Sequence, residues 1–197
     1  MSKPNYDSYC GIYCGACDIM MADKTGHKDS FASFWTEPVL RAFQQTMGNT
    51  ALEPEALKVK CLGCKSDTLF INCKTCKIRS CAIQKKVDHC IDCAEYPCAF
   101  VNGMKKSEAI LPHLKNSRPN MEMIKKAGVD QWLAAQEQYW KCPECKTSVA
   151  WYADKCSACG KKLIGLTYKF STLKAMIVKL GIRLSALRKP GAQKSLS

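Results

Sequence analysis

The chain has 197 residues, of which 15 are cysteine, and its 30 Lys/Arg against 17 Asp/Glu give a formal net charge of +13. That length allows one or two domains, and no apolar run reaches the roughly 18 residues that a membrane span needs. No Ser/His/Asp set, Gly-rich phosphate loop or carboxylate pair points to ordinary enzyme chemistry.

The thiols come as Cys-x2-Cys pairs and in odd number, behind an N-terminus, Met1 to Tyr9, without an apolar signal run. This pattern points to metal ligation in the reducing cytoplasm rather than to disulfides. The charge is unevenly placed: nine of the 30 basic residues follow Gly160, where no acid occurs, so residues 1–160 carry 21 bases against all 17 acids. Metal-bound thiolates would make that body net acidic, so the basicity belongs to the tail.

In chain order, Cys10-Gly-Ile-Tyr-Cys14-Gly-Ala-Cys17 opens the ordered part, with glycines that let the backbone turn its thiols toward one point. A helix is expected from Asp18 to Ala22. The apolar spacing of Phe31, Phe34, Trp35, Val39, Leu40 and Phe43 predicts another over Ser30 to Met47, either kinked or split by Pro38. Gly48-Asn49 ends it, and Glu53-Pro54-Glu55 reads as the start of a short helical turn.

The cysteines then crowd together: Cys61, Cys64, Cys73, Cys76, Cys81, Cys90, Cys93 and Cys98. Cys73-x2-Cys76-x4-Cys81 and Cys90-x2-Cys93-x4-Cys98 form a small internal repeat. The simplest partition is one four-thiolate site at Cys61/Cys64/Cys73/Cys76 and a second at Cys81/Cys90/Cys93/Cys98, with interleaved pairings left open because spacing does not fix connectivity. Cys10, Cys14 and Cys17 then lack a fourth ligand, for which His27 and His113 are candidates. Cys-x3-Cys-x2-Cys is also the spacing of radical S-adenosylmethionine enzymes. However, Ala16 stands where an aromatic is usual there, and no strand–helix repeat long enough for their barrel follows.

Downstream, Ala99 to Leu111 is expected to be helical up to Pro112. Pro119 and Gly128 punctuate two further helices, the second over Asp130 to Tyr139 with Asp130 or its neighbour as N-cap. Trp132, Leu133, Gln136 and Trp140 form a packing face on it. Cys142, Cys145, Cys156 and Cys159 have the spacing of a short zinc ribbon, with Val149, Trp151 and Tyr152 as strand residues of its hairpin. The four thiols form a closed set suited to structural zinc. Gly160 follows the second knuckle and Lys146 takes the matching place after the first. Finally, Leu166, Phe170, Leu173, Ile177, Leu180, Leu184 and Leu187 are spaced as a heptad seam flanked by Lys174, Lys179, Arg183 and Arg188, and Pro190-Gly191 ends it.

The stretches Cys10–Cys17, Lys60-Cys61-Leu-Gly-Cys64, Cys73–Ala82 and Cys90-Ile-Asp-Cys93-Ala-Glu-Tyr-Pro-Cys98 resemble the Cys-rich domain of unknown function family 3795. The resemblance covers about residues 6 to 115. Some longer members carry a segment similar to Gly128–Leu133 and then a zinc ribbon. It implies a cytoplasmic, metal-binding, Cys-rich protein and names no activity; His89, beside Cys90, is not part of the motif.

The expected fold is a small metal-stabilised α+β protein. Its segments are a Cys-rich zinc-knuckle body with short helices (6–115), a helical linker (116–140), a zinc-ribbon hairpin (141–162), and a basic amphipathic helix with its tail (163–197). The expected cofactor is zinc, about four ions, with an iron–sulfur cluster at one or more N-terminal Cys sets as the alternative. The expected role is a binding or adaptor module for protein or nucleic acid, with Lys77, Arg79, Lys85 and Lys86 as basic contacts between knuckles. The alternative is a redox or metal-handling protein working through Cys10/Cys14/Cys17. The heptad helix 166–188 is expected to pack on the body or self-associate, to lie on an anionic membrane surface, or to dock on nucleic acid or another partner.

Overall fold

Closely spaced cysteines, prolines and glycines leave room only for brief helices, and these are what the chain forms. The computed structural model describes residues 3–46 and 57–187. A 3-10 turn at Cys14–Ala16 leads into α1 (Asp18–Thr25), followed by α2 (Ser30–Phe34) and α3 (Glu37–Thr46). The expected long helix is thus split at Trp35–Thr36, and Pro38 sits in the first turn of α3, where its missing N–H costs no hydrogen bond. The end expected at Gly48-Asn49 and the turn expected at Glu53–Glu55 lie outside the described residues.

In the Cys-rich stretch, α4 (Ile71–Lys74) and α5 (Lys77–Gln84) each start directly at or beside a cysteine knuckle. The helix expected over Ala99 to Leu111 is only α6 (Ala99–Gly103); beyond Gly103 the chain tightens into a 3-10 turn, Met104–Ser107. Then come α7 (Ser117–Ala127) and α8 (Val129–Tyr139). The N-cap of α8 is Gly128, not Asp130, which lies inside the first turn. There its charge still favours the positive end of the helix.

The α+β expectation is corrected: the described residues are mostly helical, and their only β pairing is two isolated bridges, Lys141↔Ser148 and Lys155↔Lys162. Each bridge closes one cysteine knuckle on itself. The segment 149–152, expected as hairpin strand, spends its backbone elsewhere: Val149 N–H donates to Trp140 O (2.9 Å), Trp151 N–H to Ala16 O (2.9 Å), and Tyr168 N–H to Trp151 O (2.6 Å). With those groups used, no ladder between the knuckles can form.

One hydrophobic core runs from Ile12 to Ile182. Its centre is aromatic: Phe31 meets Tyr152, Phe170 and Trp35 at centroid distances of 5.2, 5.0 and 6.1 Å, and Trp35 continues to Phe70 at 5.2 Å. Trp132 is fully buried edge-on to Tyr13, and Trp140 is buried with its indole N–H donating to Gln136. The expected packing face of α8 is therefore realised. Helix α9 (Thr172–Leu187) packs on α3 with Ile182 buried and the Lys179 ammonium over the Phe34 ring. Its heptad seam points away, leaving Leu173, Ile177, Leu180 and Leu184 exposed. Phe170, read as part of that seam, precedes the helix and is core.

Candidate metal centres

The C-terminal set is the tightest. In each knuckle a cysteine N–H bonds five residues ahead (Cys142 to Thr147 O and Cys156 to Lys161 O, both 2.8 Å), and its carbonyl accepts from four residues on (Lys146 and Gly160). This turn needs a left-handed residue at its end, and Gly160 (φ 73°) and Lys146 (φ 61°) supply it at matching places. The four Sγ atoms all lie within 4.8 Å of one another, with Cys142–Cys159 at 3.7 Å and Cys145–Cys156 at 3.5 Å. Four thiolates at about 2.3 Å from one tetrahedral ion stand about 3.8 Å apart, so the donor set fits zinc. Cys142 and Cys156 are buried, whereas Cys145 and Cys159 face solvent. The neighbouring Trp140, Val149 and Trp151 anchor the site in the core.

In the N-terminal half, residues 5–17 thread between the central cysteines and α7. Asn5 N–H donates to Leu62 O (2.7 Å) and Cys90 N–H to Tyr9 O (2.7 Å). On the other side Ser117 donates to Cys10 O (2.6 Å) and Asn120 to Gly11 O (2.7 Å). Gly63 is required by this path: its φ is +110°, and a Cβ there would stand 1.7 Å from the Asn5 carbonyl oxygen.

The threading brings the thiols of Cys10, Cys14 and Cys17 among the central ones. Cys61 and Cys73 share a hydrogen bond, which holds the Cys61 thiol down at about 6 and pushes that of Cys73 up. Cys14 and Cys17 stand in the field of this pair. Cys64 senses Cys10 and Cys76, and Cys14 senses Cys64 ahead of Cys61. Cys10, Cys14 and Cys17 thus lie among Cys61, Cys64, Cys73 and Cys76 and form one continuous thiol-rich region with them. Burial raises the Cys10 and Cys14 thiols, and those of Cys17 and Cys64 to about 12. Thiolates in such a place need a bound cation beside them.

The second half of the internal repeat does converge. Cys81 from α5, and Cys90, Cys93 and Cys98 from the loop after it, line one pocket together with Val87 and Tyr96. Cys90, raised to about 12 by burial, also senses Cys10 next door.

The histidines go elsewhere. His27 is half-exposed beside Asp29 (3.4 Å). His113 is buried between Trp151 and the Tyr152 hydroxyl, 2.7 Å from its Nδ1. His89 Nε2 lies 2.9 Å from Asp7 Oδ1, and Lys65 pairs with the other oxygen. Burial acts to raise the Asp7 carboxyl, but the bonds from His89 and Lys65 outweigh it and hold it below its usual value. This partly buried triad escaped sequence reading, because nothing in local spacing links Asp7 to residues 65 and 89. Of the four basic residues between knuckles, Arg79 donates to Cys64 O (2.9 Å) and Lys85 pairs with Glu95, so half of that face is tied down.

Residues 6–103 match the model of a family described as a protein of unknown function, DUF3795. That stretch is similar to DUF3795 domains. It holds eleven cysteines, Cys10 to Cys98, and ends before the C-terminal four-thiol set, which lies outside the match. No curated protein and no solved structure matches the chain significantly. No helix among the described residues is long and apolar enough to cross a membrane.

Proposed function

We propose that this chain is a binding module held together by metal thiolates, with zinc at Cys142/Cys145/Cys156/Cys159, which presents α9 to a partner protein. The observation that carries this reading is the face α9 turns outward. Leu173, Ile177, Leu180 and Leu184 continue a 4-3-4 heptad seam, all roughly half to two-thirds exposed, while the opposite face is already spent on α3. Such a seam seeks a second helix. Lys174 and Arg183 occupy the flanking heptad positions, so a second copy of α9 would bring cations against cations, whereas an acid-flanked heptad helix would pair them. Nucleic acid would satisfy the cations and leave the leucines uncovered.

The test is an anisotropy titration of the full chain with a labelled heptad peptide carrying Leu at its seam and Glu at its flanks, beside a Lys-flanked control. Binding of the Glu peptide alone, weakened at least tenfold by Leu180→Asp, supports the reading. Equal binding of both peptides, or of neither, overturns it. So does co-sedimentation with phosphatidylserine-containing vesicles that Leu180→Asp abolishes while the Glu peptide does not bind.

A further inference from the structure

We propose that Cys81, Cys90, Cys93 and Cys98 hold a cuboidal iron–sulfur cluster rather than a single zinc ion. The argument is the contrast between two four-cysteine sets in one molecule. At the C-terminus the thiols close to within 4.8 Å of one another, the spacing that one tetrahedral ion imposes. At Cys81/Cys90/Cys93/Cys98 the four thiols face a common pocket, yet no three ligand atoms there, nor in any other His, Cys, Asp or Glu group among the described residues, come that close. One zinc ion cannot reach four thiolates held that far apart without pulling the loop inward. A cube of four irons and four sulfides can, because each thiolate binds its own corner.

The surroundings suit the same group. Val87 and Tyr96 give the pocket apolar walls, and Lys85, paired with Glu95, sets a cation beside Cys81 and Cys93. Four thiolates outweigh the charge of the cluster core, so a nearby ammonium and a dry wall are the features that tune such a centre. The neighbouring Cys10 approaches Cys90 from the threaded N-terminal segment.

The experiment uses the full chain, purified without oxygen and reconstituted with ferrous iron and sulfide, followed by iron, sulfide and zinc analysis and an absorbance scan. Four irons and four sulfides per chain, with a broad band near ~400 nm, are expected. Cys93→Ala and Cys98→Ala should each remove most of that band while keeping the far-ultraviolet circular dichroism and the zinc of the C-terminal set. Cys145→Ala should do the reverse, losing zinc and keeping the colour. Absence of bound iron overturns the proposal, whether zinc takes the site or nothing does. So does iron that persists in both Cys93→Ala and Cys98→Ala. Zinc binding unchanged by Cys145→Ala would instead remove the zinc part of the functional reading and leave this proposal standing.

Discussion

The His113 imidazole lies flat on the Trp151 indole, with centroids 4.1 Å apart and planes 8° from parallel. Stacking and complete burial keep the ring neutral: desolvation alone pulls its proton affinity down to about 3 from an ordinary 6.5. The unfolded chain takes up a proton near pH 6.5 and the folded chain does not until about pH 3, so the unfolded state binds more protons across that window. Stability from this residue is therefore full above pH 6.5 and is lost as pH falls, at about 1.4 kcal/mol per unit. Urea unfolding at pH 7.5, 6.5 and 5.5 should show a steeper acid loss for the native chain than for His113→Phe, which keeps the stack and cannot titrate. Equal slopes would show that His113 is not held neutral.

The approach of Asn5 to Gly63 yields a second expectation. Gly63→Ala combines a backbone angle that side chains rarely adopt (φ +110°) with a Cβ 1.7 Å from the Asn5 carbonyl oxygen. The N-terminal segment must move, and with it the hydrogen bonds Asn5–Leu62 and Cys90–Tyr9 that align the thiol sets. A loss of about 2–4 kcal/mol is expected. The diagnostic readout is faster hydrogen exchange at Asn5 and Cys90, with Trp140 and Trp151 fluorescence unchanged.

How legible these features were depended on sequence distance. Cys142 to Cys159 span 18 residues, so their spacing alone was enough to foresee one convergent set. Likewise α8 was foreseen from its own apolar repeat, and α2 and α3 from Pro38. The placement of Cys10, Cys14 and Cys17 among the central thiols has no such local signal, because it rests on contacts such as Tyr9 with Cys90 and Asn5 with Leu62, 81 and 57 residues apart. The strand reading of 149–152 fails for the same reason: alternating Val149 and Trp151 look like a hairpin until Trp140 takes the Val149 N–H and Ala16 and Tyr168 take the Trp151 backbone. In α9 the strongest periodicity marked the outward seam, and the quieter Ala175, Val178 and Ile182 make the contact with the body.

That division of α9 predicts opposite outcomes for two substitutions only two residues apart. Ile182 is buried against α3, so Ile182→Asp puts an unpaired charge into that contact and should release the helix. Limited proteolysis would then cut within 172–187 and leave the rest of the chain intact. Leu180 is 58 % exposed, and Leu180→Asp should shift stability by less than ~0.5 kcal/mol. If both variants are cut alike, the helix does not distinguish its two faces.

The two C-terminal cysteine knuckles place different residues in one backbone role. Lys146 adopts φ 61° where the second knuckle has Gly160 at φ 73°. Lys146 bears the steric cost of a side chain in the left-handed region, about 1 kcal/mol, which its ammonium offsets only in part by donating to Pro143 O (2.9 Å). A Cβ at Gly160 meets nothing within 4 Å, so any cost of Gly160→Ala is conformational and not a clash. Lys146→Gly should therefore change stability little, since glycine's gain at this angle is opposed by its freedom in the unfolded chain. Gly160→Ala should weaken the C-terminal site by about 1–2 kcal/mol. Competition of each variant against a chromogenic zinc chelator reads the effect directly. Retention of zinc should drop roughly five- to thirtyfold for Gly160→Ala and hold for Lys146→Gly. Equal retention in both would mean that the second knuckle does not need its left-handed turn to close the site.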